Sequence, residues 1–251
     1  MNSKERFSDR VDDYVRYRPR YPAELLALLV RAGNLGTASV VADVGSGTGI
    51  WSGRLLESGA KVVGIEPNRA MRQAAEQALA HEARFVSVEG SAEATGLAPA
   101  SVDMVTAAQA FHWFDPGPTR AEFSRILRPA GIVALVWNQR RDSPLNREYE
   151  AMLEELAPDY AQVRESDRAA GPKIAAFFGA SKPRSATYEN EQRLDEKGFR
   201  GRLTSSSYAP RPGDPRYEAI LERLGRIFAS HARGGQVTLT YDCLVFYGPL
   251  L

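Results

Sequence analysis

The chain has 251 residues, of which 43% are hydrophobic, and 32 basic against 31 acidic side chains leave a formal net charge of +1. Such a chain can bury one large core, and its balanced charge favours neither a nucleic acid nor an anionic membrane as a partner. The single cysteine, Cys243, excludes an internal disulfide, and with three histidines it also excludes a Cys/His zinc cluster.

The distribution of apolar residues along the chain predicts neither a targeting signal nor a membrane-spanning helix. No apolar stretch follows the polar N-terminus, and none reaches the roughly 18 residues that a membrane-spanning helix needs. The sequence therefore predicts a cytoplasmic protein, a monomer or homodimer, with no metal, membrane or nucleic-acid partner.

Aromatic and basic side chains alternate near the start of the chain, Tyr14 and Arg18 among them. Two interpretations stay open. The segment is either an amphipathic helix whose aromatic side chains pack on the domain, or a lid whose Tyr or Arg donates to a ligand carboxylate. Pro22 then begins a helix predicted over 23–31, which Gly33 stops.

The most informative stretch is VVADVGSGTGIWS, over 40–52. Its apolar, β-branched beginning predicts a buried parallel strand at 39–44. Gly45, Gly47 and Gly49, with Ser46 between the first two, predict a turn that brings bare backbone close to a ligand. The helix that follows directs its N-terminal amides at the same place.

The register of these glycines separates two classes of ligand. A dinucleotide fingerprint would place its third glycine at position 50, where the chain has Ile50, and Asp43 stands two residues before the first glycine. No Lys-Ser/Thr pair follows the glycines, which excludes a phosphate-binding P-loop.

A second buried strand, 61–66, ends in Glu66, 21 residues after Gly45. A carboxylate at this place can accept hydrogen bonds from both ribose hydroxyls; the alternative is a solvated acid at a strand end. Pro67 follows, and Asn68 is predicted to cap a helix over 69–80 that carries Met71.

Two further strands end in polar turns. A strand at 84–89 runs into Ser91, Ala92 and Glu93, and a strand at 101–108 runs into the stretch QAFHWFD, over 109–115. In an open parallel sheet, ligands bind beyond the carboxyl ends of the strands. This second turn is therefore expected to face the reacting part of the ligand.

The remaining elements follow from periodicity and from Pro and Gly punctuation. We predict helices at 116–127, 144–157, 173–180 and 215–231, a turn at 128–131, a loop at 158–172, and strands at 132–138, 184–194 and 236–247.

Together, Asp43–Gly49, Glu66, Ser91–Glu93 and Gln109–Asp115 resemble the motifs of class I S-adenosylmethionine-dependent methyltransferases. The resemblance is to the methyltransferase type 11 group that includes the trans-aconitate methyltransferases. Three more stretches extend it over nearly the whole chain: YRPRYP at 17–22, LRPAG at 127–131, and the closing segment from Tyr241 to Gly248.

This resemblance implies an α/β fold: a Rossmann-like seven-stranded sheet in the order 3-2-1-4-5-7-6, with an antiparallel last strand, flanked by helices. Residues 1–251 would form a single domain, with an N-terminal lid at 1–21 and a helical substrate cover at 139–183. The implied cofactor is S-adenosyl-L-methionine, and the product is S-adenosyl-L-homocysteine.

Residue roles are implied by the same resemblance. The glycines allow close approach, Asp43 fixes the turn or the cofactor amino group, Glu66 takes the ribose, and Tyr14 and Arg18 cover the cofactor. Ala92 and Glu93 would contact the adenine, and Gln109 and Ala110 the methionine part. The complete predicted cofactor set is Asp43, Gly45, Ser46, Gly47, Gly49, Glu66, Pro67, Met71, Ser91, Ala92, Glu93, Gln109, Ala110, Tyr14 and Arg18.

Catalysis and acceptor binding are less determined. His112 is either a general base or a packed, backbone-bonded histidine. A carboxylate acceptor would need no base and could be bound by an arginine. The candidate arginines are Arg16, Arg18, Arg20, Arg140 and Arg141. The candidate acceptor-binding residues are Trp51, His112, Trp113, Trp137 and Arg140, although each tryptophan could equally be core.

We therefore predict methyl transfer to oxygen or nitrogen of a small molecule, with a carboxylate as one option. Two alternatives stay open. One is a non-catalytic S-adenosylmethionine-binding protein, and the other is a nicotinamide-dependent oxidoreductase, against which Ile50 argues.

Overall fold

The computed structural model describes residues 11–163 and 170–250. The strands are β1 (Val40–Val44), β2 (Lys61–Ile65), β3 (Phe85–Val88), β4 (Val102–Ala108), β5 (Leu127–Arg140), β6 (Arg184–Leu194) and β7 (Val237–Gly248). The helices of these ranges are α1 (Val11–Tyr17), α2 (Ala23–Gly33), α3 (Ile50–Leu56), α4 (Arg69–Ala78), α5 (Pro116–Ile126), α6 (Pro144–Leu156), α7 (Ala170–Phe178), α8 (Glu196–Thr204) and α9 (Tyr217–His231).

All seven strands join one sheet in the order β3-β2-β1-β4-β5-β7-β6. Strands β1 to β5 pair in parallel, and β7 runs antiparallel to both β5 and β6. The predicted α/β fold and strand order are confirmed. The strand order reverses between β1 and β4, so the carboxyl ends of these two strands border the crevice where this architecture binds ligands.

The central strands are covered on both faces. Ala42 and Val44 of β1 belong to a hydrophobic cluster on one face, while Val41 belongs to a second cluster on the other. This two-sided burial explains why β1 reads as a continuous apolar run rather than as an alternating one. Met104 of β4 joins the second cluster, so β1 and β4 hold the glycine turn on a rigid base.

A third hydrophobic cluster lies beyond the carboxyl edge of the sheet. We call the three helices α6, α8 and α9, which contribute to this cluster, the cover. The cluster joins these helices with the first half of β7, through side chains such as Tyr149, Phe199, Leu224 and Tyr241. The cover limits of 139–183 stay a prediction. The structure places α8 and α9, which follow β6, in this cluster, while Phe177 of α7 packs on the sheet cluster instead.

Two local predictions were wrong. The turn expected at 128–131 is instead the start of β5, where the pairing with β4 shifts register and Ala130 adopts a φ of 67°. Pro129 carries no N–H to donate to the ladder, so regular pairing is interrupted here and resumes at Ile132. The loop expected at 158–172 contains helical residues at 160–163, and α7 begins at Ala170; residues 164–169 lie outside the described part.

The strand predicted at 184–194 is confirmed as β6, although its sequence alternates weakly. It pairs with β7 at eleven positions and forms the edge of the sheet, so one of its faces is largely exposed and accepts polar side chains. Helix α8 was not predicted. No helix in the described ranges is long and apolar enough to cross a membrane.

Candidate functional site

Two adjoining cavities open at the carboxyl edge of the sheet. The sheet-edge cavity lies beyond β2 and β3, and its lining includes Glu66, Met71 and Glu93. The cover cavity lies between β1, β5 and the cover, and its lining includes Asp43 and His112. Both are lined by Tyr14, Gly45, Gly47, Ala108, Gln109 and Trp113.

The structure brings together the whole predicted cofactor set except one residue. Gly49 lines neither cavity. A Cβ built on Gly49 would lie 3.0 Å from Leu79 and 3.2 Å from Ala75, so this glycine allows α3 and α4 to pack closely. It has a φ of 80° and caps α3, which is a structural role that the motif alone did not reveal.

The other two glycines of the turn also differ from each other. A Cβ on Gly45 would lie 2.6 Å from the Cβ of Ala110, so Gly45 lets the turn approach the end of β4. A Cβ on Gly47 would meet nothing within 4 Å, and its φ is 56°. Gly47 therefore presents bare backbone to the open space of the cavities, as close approach to a ligand requires.

Glu66 links the glycine turn to the β2–α4 connection. Its Oε2 accepts from the amide of Gly47 at 3.0 Å, and its Oε1 accepts from the amide of Asn68 at 2.9 Å. Each oxygen keeps a second lone pair, which suits a pair of ribose hydroxyls. Burial raises the pKa of Glu66, against the opposing effect of these two hydrogen bonds and of Arg72.

The sheet-edge cavity offers an apolar surface at Met71 and a hydrogen-bond acceptor at Glu93, as binding of an adenine requires. Met71, which is buried, forms an apolar wall, and its amide donates to the cap residue Asn68 at 3.1 Å, which confirms the predicted helix cap. The Oε1 of Glu93 accepts from the amide of Asp115 at 3.1 Å. This bond ties the β3 turn to the β4 turn across the cavity.

Asp43 is a buried acid in the lining of the cover cavity, with 1% of its surface exposed. Its Oδ2 accepts from Ser52 Oγ at 2.6 Å, and its Oδ1 accepts from Thr106 Oγ1 at 3.4 Å. Burial raises the pKa of Asp43 to about 7; the two hydroxyls act to lower it, and the charge of Glu66 adds to the increase. A cationic group on a ligand would favour the ionised form.

Gln109 directly follows β4 and adopts a left-handed conformation with a φ of 56°. Its amide donates to the carbonyl of Val136 at 2.9 Å, and its Nε2 donates to the carbonyl of Asn138 at 3.0 Å. Left-handed backbone is unfavourable for a residue other than glycine and is found preferentially at functional sites. These two bonds to β5 hold Gln109 where both cavities meet.

His112 lines the cover cavity within a short 3₁₀ turn, Phe111–Trp113. Burial, together with the positive charges of Lys173 and Arg18, lowers the pKa of His112 to about 4. The imidazole is therefore neutral near pH 7 but a weak base. Its role as a general base stays a prediction.

The three tryptophans occupy different positions. Trp51 is 3% exposed and lines the cover cavity, with its ring 4.8 Å from that of Tyr21, and Trp113, 39% exposed, lines both cavities. Trp137 lines neither cavity: it is buried on β5 between Phe111 and Phe246. Its placement agrees with the alternative that the sequence left open, a core residue.

Of the candidate arginines, Arg18 and Arg140 line the cover cavity. Arg140 is already paired, since its Nε donates to Glu150 at 3.0 Å and its Nη2 to the hydroxyl of Tyr160 at 2.6 Å. Arg16 and Arg20 are exposed and line neither cavity. Arg141, also outside both cavities, pairs with Glu189 and Asp242.

The residues of the cover cavity that sequence reasoning missed include Arg202 of α8 and Tyr208 just after it. Burial acts to raise the pKa of Tyr208, but the positive charges of Arg140, Arg202 and Arg18 lower it. Nothing in the local sequence distinguishes these residues, because only the cover brings them to the end of β1.

Fold and site together define a class I methyltransferase architecture. Residues 42–135 match the family described as a methyltransferase domain. The predicted resemblance to class I S-adenosylmethionine-dependent methyltransferases is therefore confirmed, and with it the cofactor of that class. The polar groups of the sheet-edge cavity fit this cofactor, since Glu66 has acceptor capacity for a ribose and Gly47 leaves space beside it.

Several curated proteins are similar to this chain. An uncharacterized methyltransferase of Mycobacterium tuberculosis is 41% identical over 134 residues, which are 53% of this chain and 52% of the relative. An uncharacterized methyltransferase of Schizosaccharomyces pombe is 30% identical over 141 residues, 55% of this chain and 54% of the relative. The chain thus spans about half the length of the curated relatives that it matches.

Similarity to a solved structure covers more of the molecule. A proposed type II methyltransferase from Anaeromyxobacter dehalogenans is 27% identical, with a TM-score of 0.68, over 94% of this chain and 99% of that one. This alignment includes the cover as well as the sheet. The cover is therefore part of the shared architecture.

Proposed function

We propose that the protein transfers the methyl group of S-adenosylmethionine to a small-molecule acceptor that carries a carboxylate, at an oxygen or a nitrogen. The observation that supports this most is the junction of the two cavities at Gly45, Gly47, Gln109 and Trp113. A cofactor whose ribose lies at Glu66 would extend past this junction toward the arginines of the cover cavity.

When bound, S-adenosylmethionine supplies an activated methyl group on a sulfonium. The chain's contribution is to hold the two reactants in line, for which well-oriented groups are worth roughly 7–11 kcal/mol. Glu66 would hold the ribose, Asp43 the cationic end of the cofactor, and Tyr14 and Trp113 would exclude water from the junction. Neutral His112 would orient the acceptor.

Acceptor chemistry is the finer part of the proposal. Arg18 and Arg202 line the cover cavity, and neither has a carboxylate partner among the residues that the structure describes. A carboxylate acceptor matches the planar guanidinium and is already nucleophilic, so it needs no general base. This agrees with the low pKa of His112.

The test is release of S-adenosylhomocysteine from S-adenosylmethionine on incubation with matched panels of small carboxylic acids, their amides, amines and phenols. We expect turnover with one or more carboxylic acids and none with the corresponding amides. Turnover confined to the amines or phenols would contradict the carboxylate acceptor. Cofactor binding without turnover on any panel would favour the non-catalytic alternative.

We further infer a single domain that works in the cytoplasm as a monomer or homodimer, without nucleic acid. The near-zero net charge supports the absence of a nucleic-acid partner, because basic residues are not in excess.

A further inference from the structure

Two arginines face the cover cavity from different parts of the molecule. Arg18 follows α1, and Arg202 lies on α8 of the cover. The Nη2 of Arg18 donates to the carbonyl of Ser205 at 3.0 Å, and the Nη1 of Arg202 donates to Ser206 Oγ at 3.0 Å. Both guanidiniums are therefore anchored to neighbouring residues at the C-terminal end of α8.

Neither guanidinium is satisfied. The Nε atoms of Arg18 and Arg202 are buried and have no hydrogen-bond partner in the described ranges of the chain. A buried charged donor without an acceptor is unfavourable, and an arginine offers five donors in a fork that matches a carboxylate. Arg202 is itself 4% exposed, so water cannot easily replace the missing acceptor.

The positive charge of Arg202 acts on Arg18. Burial lowers the pKa of Arg18, and the charge of Arg202 lowers it further. The contact between the N-terminal segment (11–21) and the cover thus includes a like-charge repulsion. An anion between the two guanidiniums would add two attractions that offset this repulsion.

Arg18 connects this place to the cofactor site through Tyr14. Its guanidinium carbon lies 4.6 Å from the centre of the Tyr14 ring, and its amide donates to the Tyr14 carbonyl at 3.3 Å. Tyr14 lines both cavities. A ligand that holds Arg18 against α8 therefore also holds Tyr14 over the junction where the cofactor would lie.

We propose that Arg18 and Arg202 form one carboxylate-binding site shared between the N-terminal segment and the cover, and that an anion bound there strengthens cofactor binding. This rests on the proposed function, because the anion is the acceptor's carboxylate. Acceptor and cofactor are then thermodynamically coupled, and each increases the affinity for the other by the same factor.

The experiment is a calorimetric titration of the full chain with S-adenosylhomocysteine, alone and with malonate, glutarate or citrate, at constant ionic strength. We expect at least one of these anions to lower the dissociation constant by about 5- to 150-fold, the usual range of such coupling. Malonamide, the uncharged counterpart of malonate, is expected to leave it unchanged.

Variants locate the effect. In Arg202→Met and, separately, in Arg18→Met, we expect the ratio of dissociation constants without and with the anion to fall to about 1. The matched control is Arg226→Met, because Arg226 is exposed on α9 and pairs only with Glu222 among the described residues; it should keep the wild-type ratio. If thermal unfolding shows that Arg202→Met is not folded, Arg202→Lys takes its place. Lysine keeps the positive charge but lacks the planar fork of donors, so this variant should still reduce the ratio.

Two results would overturn the inference. One is tight binding of S-adenosylhomocysteine that none of the three anions alters, which leaves the proposed function intact. The other is coupling that survives in both arginine variants. If S-adenosylhomocysteine does not bind at all, the proposed function fails along with the inference.

Discussion

Asp43 is a single buried side chain through which we expect cofactor binding to depend on pH. Its pKa of about 7 means that the acid is largely protonated at pH 6 and largely ionised at pH 7.5. S-adenosylmethionine is cationic at its sulfonium and ammonium groups, so it should bind better to the ionised acid. His112, with a pKa of about 4, does not titrate in this interval.

We therefore predict that affinity for S-adenosylmethionine rises by up to about tenfold from pH 6 to pH 7.5. The sign follows from the raised pKa: the proton that must leave Asp43 is lost only as the pH passes 7. In Asp43→Asn, which still accepts from Ser52, affinity should be nearly constant over this range. A slope that persists in the variant would assign the titration to another group, with Glu66 as the first candidate.

At the scale of elements, α1 packs against α8 of the cover, next to the two cavities. A Cβ built on Gly201 would overlap the ring of Tyr17, so α1 can rest on α8 only because residue 201 is glycine. The backbone carbonyl of Tyr17 also accepts from Gln192 Nε2 at 2.8 Å, and Asp13 accepts from Thr204 Oγ1 at 2.6 Å. Together these contacts fix α1 to the cover and to the edge strand β6.

Gly201→Ala should displace α1 and weaken binding of S-adenosylmethionine. Overpacking of this kind costs about 1–3 kcal/mol, which corresponds to about 5- to 150-fold in the dissociation constant if the displacement opens the site. The control is Gly225→Ala on α9, where the added Cβ meets nothing within 4 Å. It should raise stability by up to about 1 kcal/mol and leave binding unchanged.

Calorimetric titration measures the affinity of both variants, and thermal unfolding measures their stability. Equal affinities in Gly201→Ala and wild-type protein would show that the position of α1 does not matter for the cofactor. That result would leave α1 as a structural helix, which is the other interpretation that its sequence allowed.

For the molecule as a whole, the parts that could be predicted are those that the local sequence encodes. The turn at Gly45–Gly49, the acid at Glu66 and the cap at Asn68 each depend on residues within one strand–turn–helix unit. Parallel pairing then brings the strand ends together at one edge, since Asp43 pairs with both Gly64 and Thr106. That these residues meet at one edge of the sheet could therefore be predicted from spacing, and their role toward the cofactor stays a prediction.

The residues that the cover adds to the cover cavity could not be predicted, because their position depends on contacts between distant parts of the chain. Arg202 reaches the end of β1 only after β6 and β7 have paired and the cover has packed on them. Trp137 illustrates a second difficulty. The face on which Trp137 lies depends on the phase of β5, which the register shift near Ala130 hides in the sequence.

The central claim is that this chain binds S-adenosylmethionine through Glu66. We would titrate the purified protein calorimetrically with S-adenosylmethionine and, separately, with NADH, and repeat both titrations on Glu66→Ala and on Glu57→Ala. Glu57 is an exposed control that pairs with Arg54. Hydrogen bonds to a charged group contribute about 1.5–3 kcal/mol each, so loss of the ribose contact should weaken binding by ten- to a hundredfold or more.

The expected result is micromolar binding of S-adenosylmethionine, weakened in Glu66→Ala and unchanged in Glu57→Ala, with no binding of NADH. Absence of S-adenosylmethionine binding, or tighter binding of NADH, would contradict the assignment of the glycine turn and the function that rests on it.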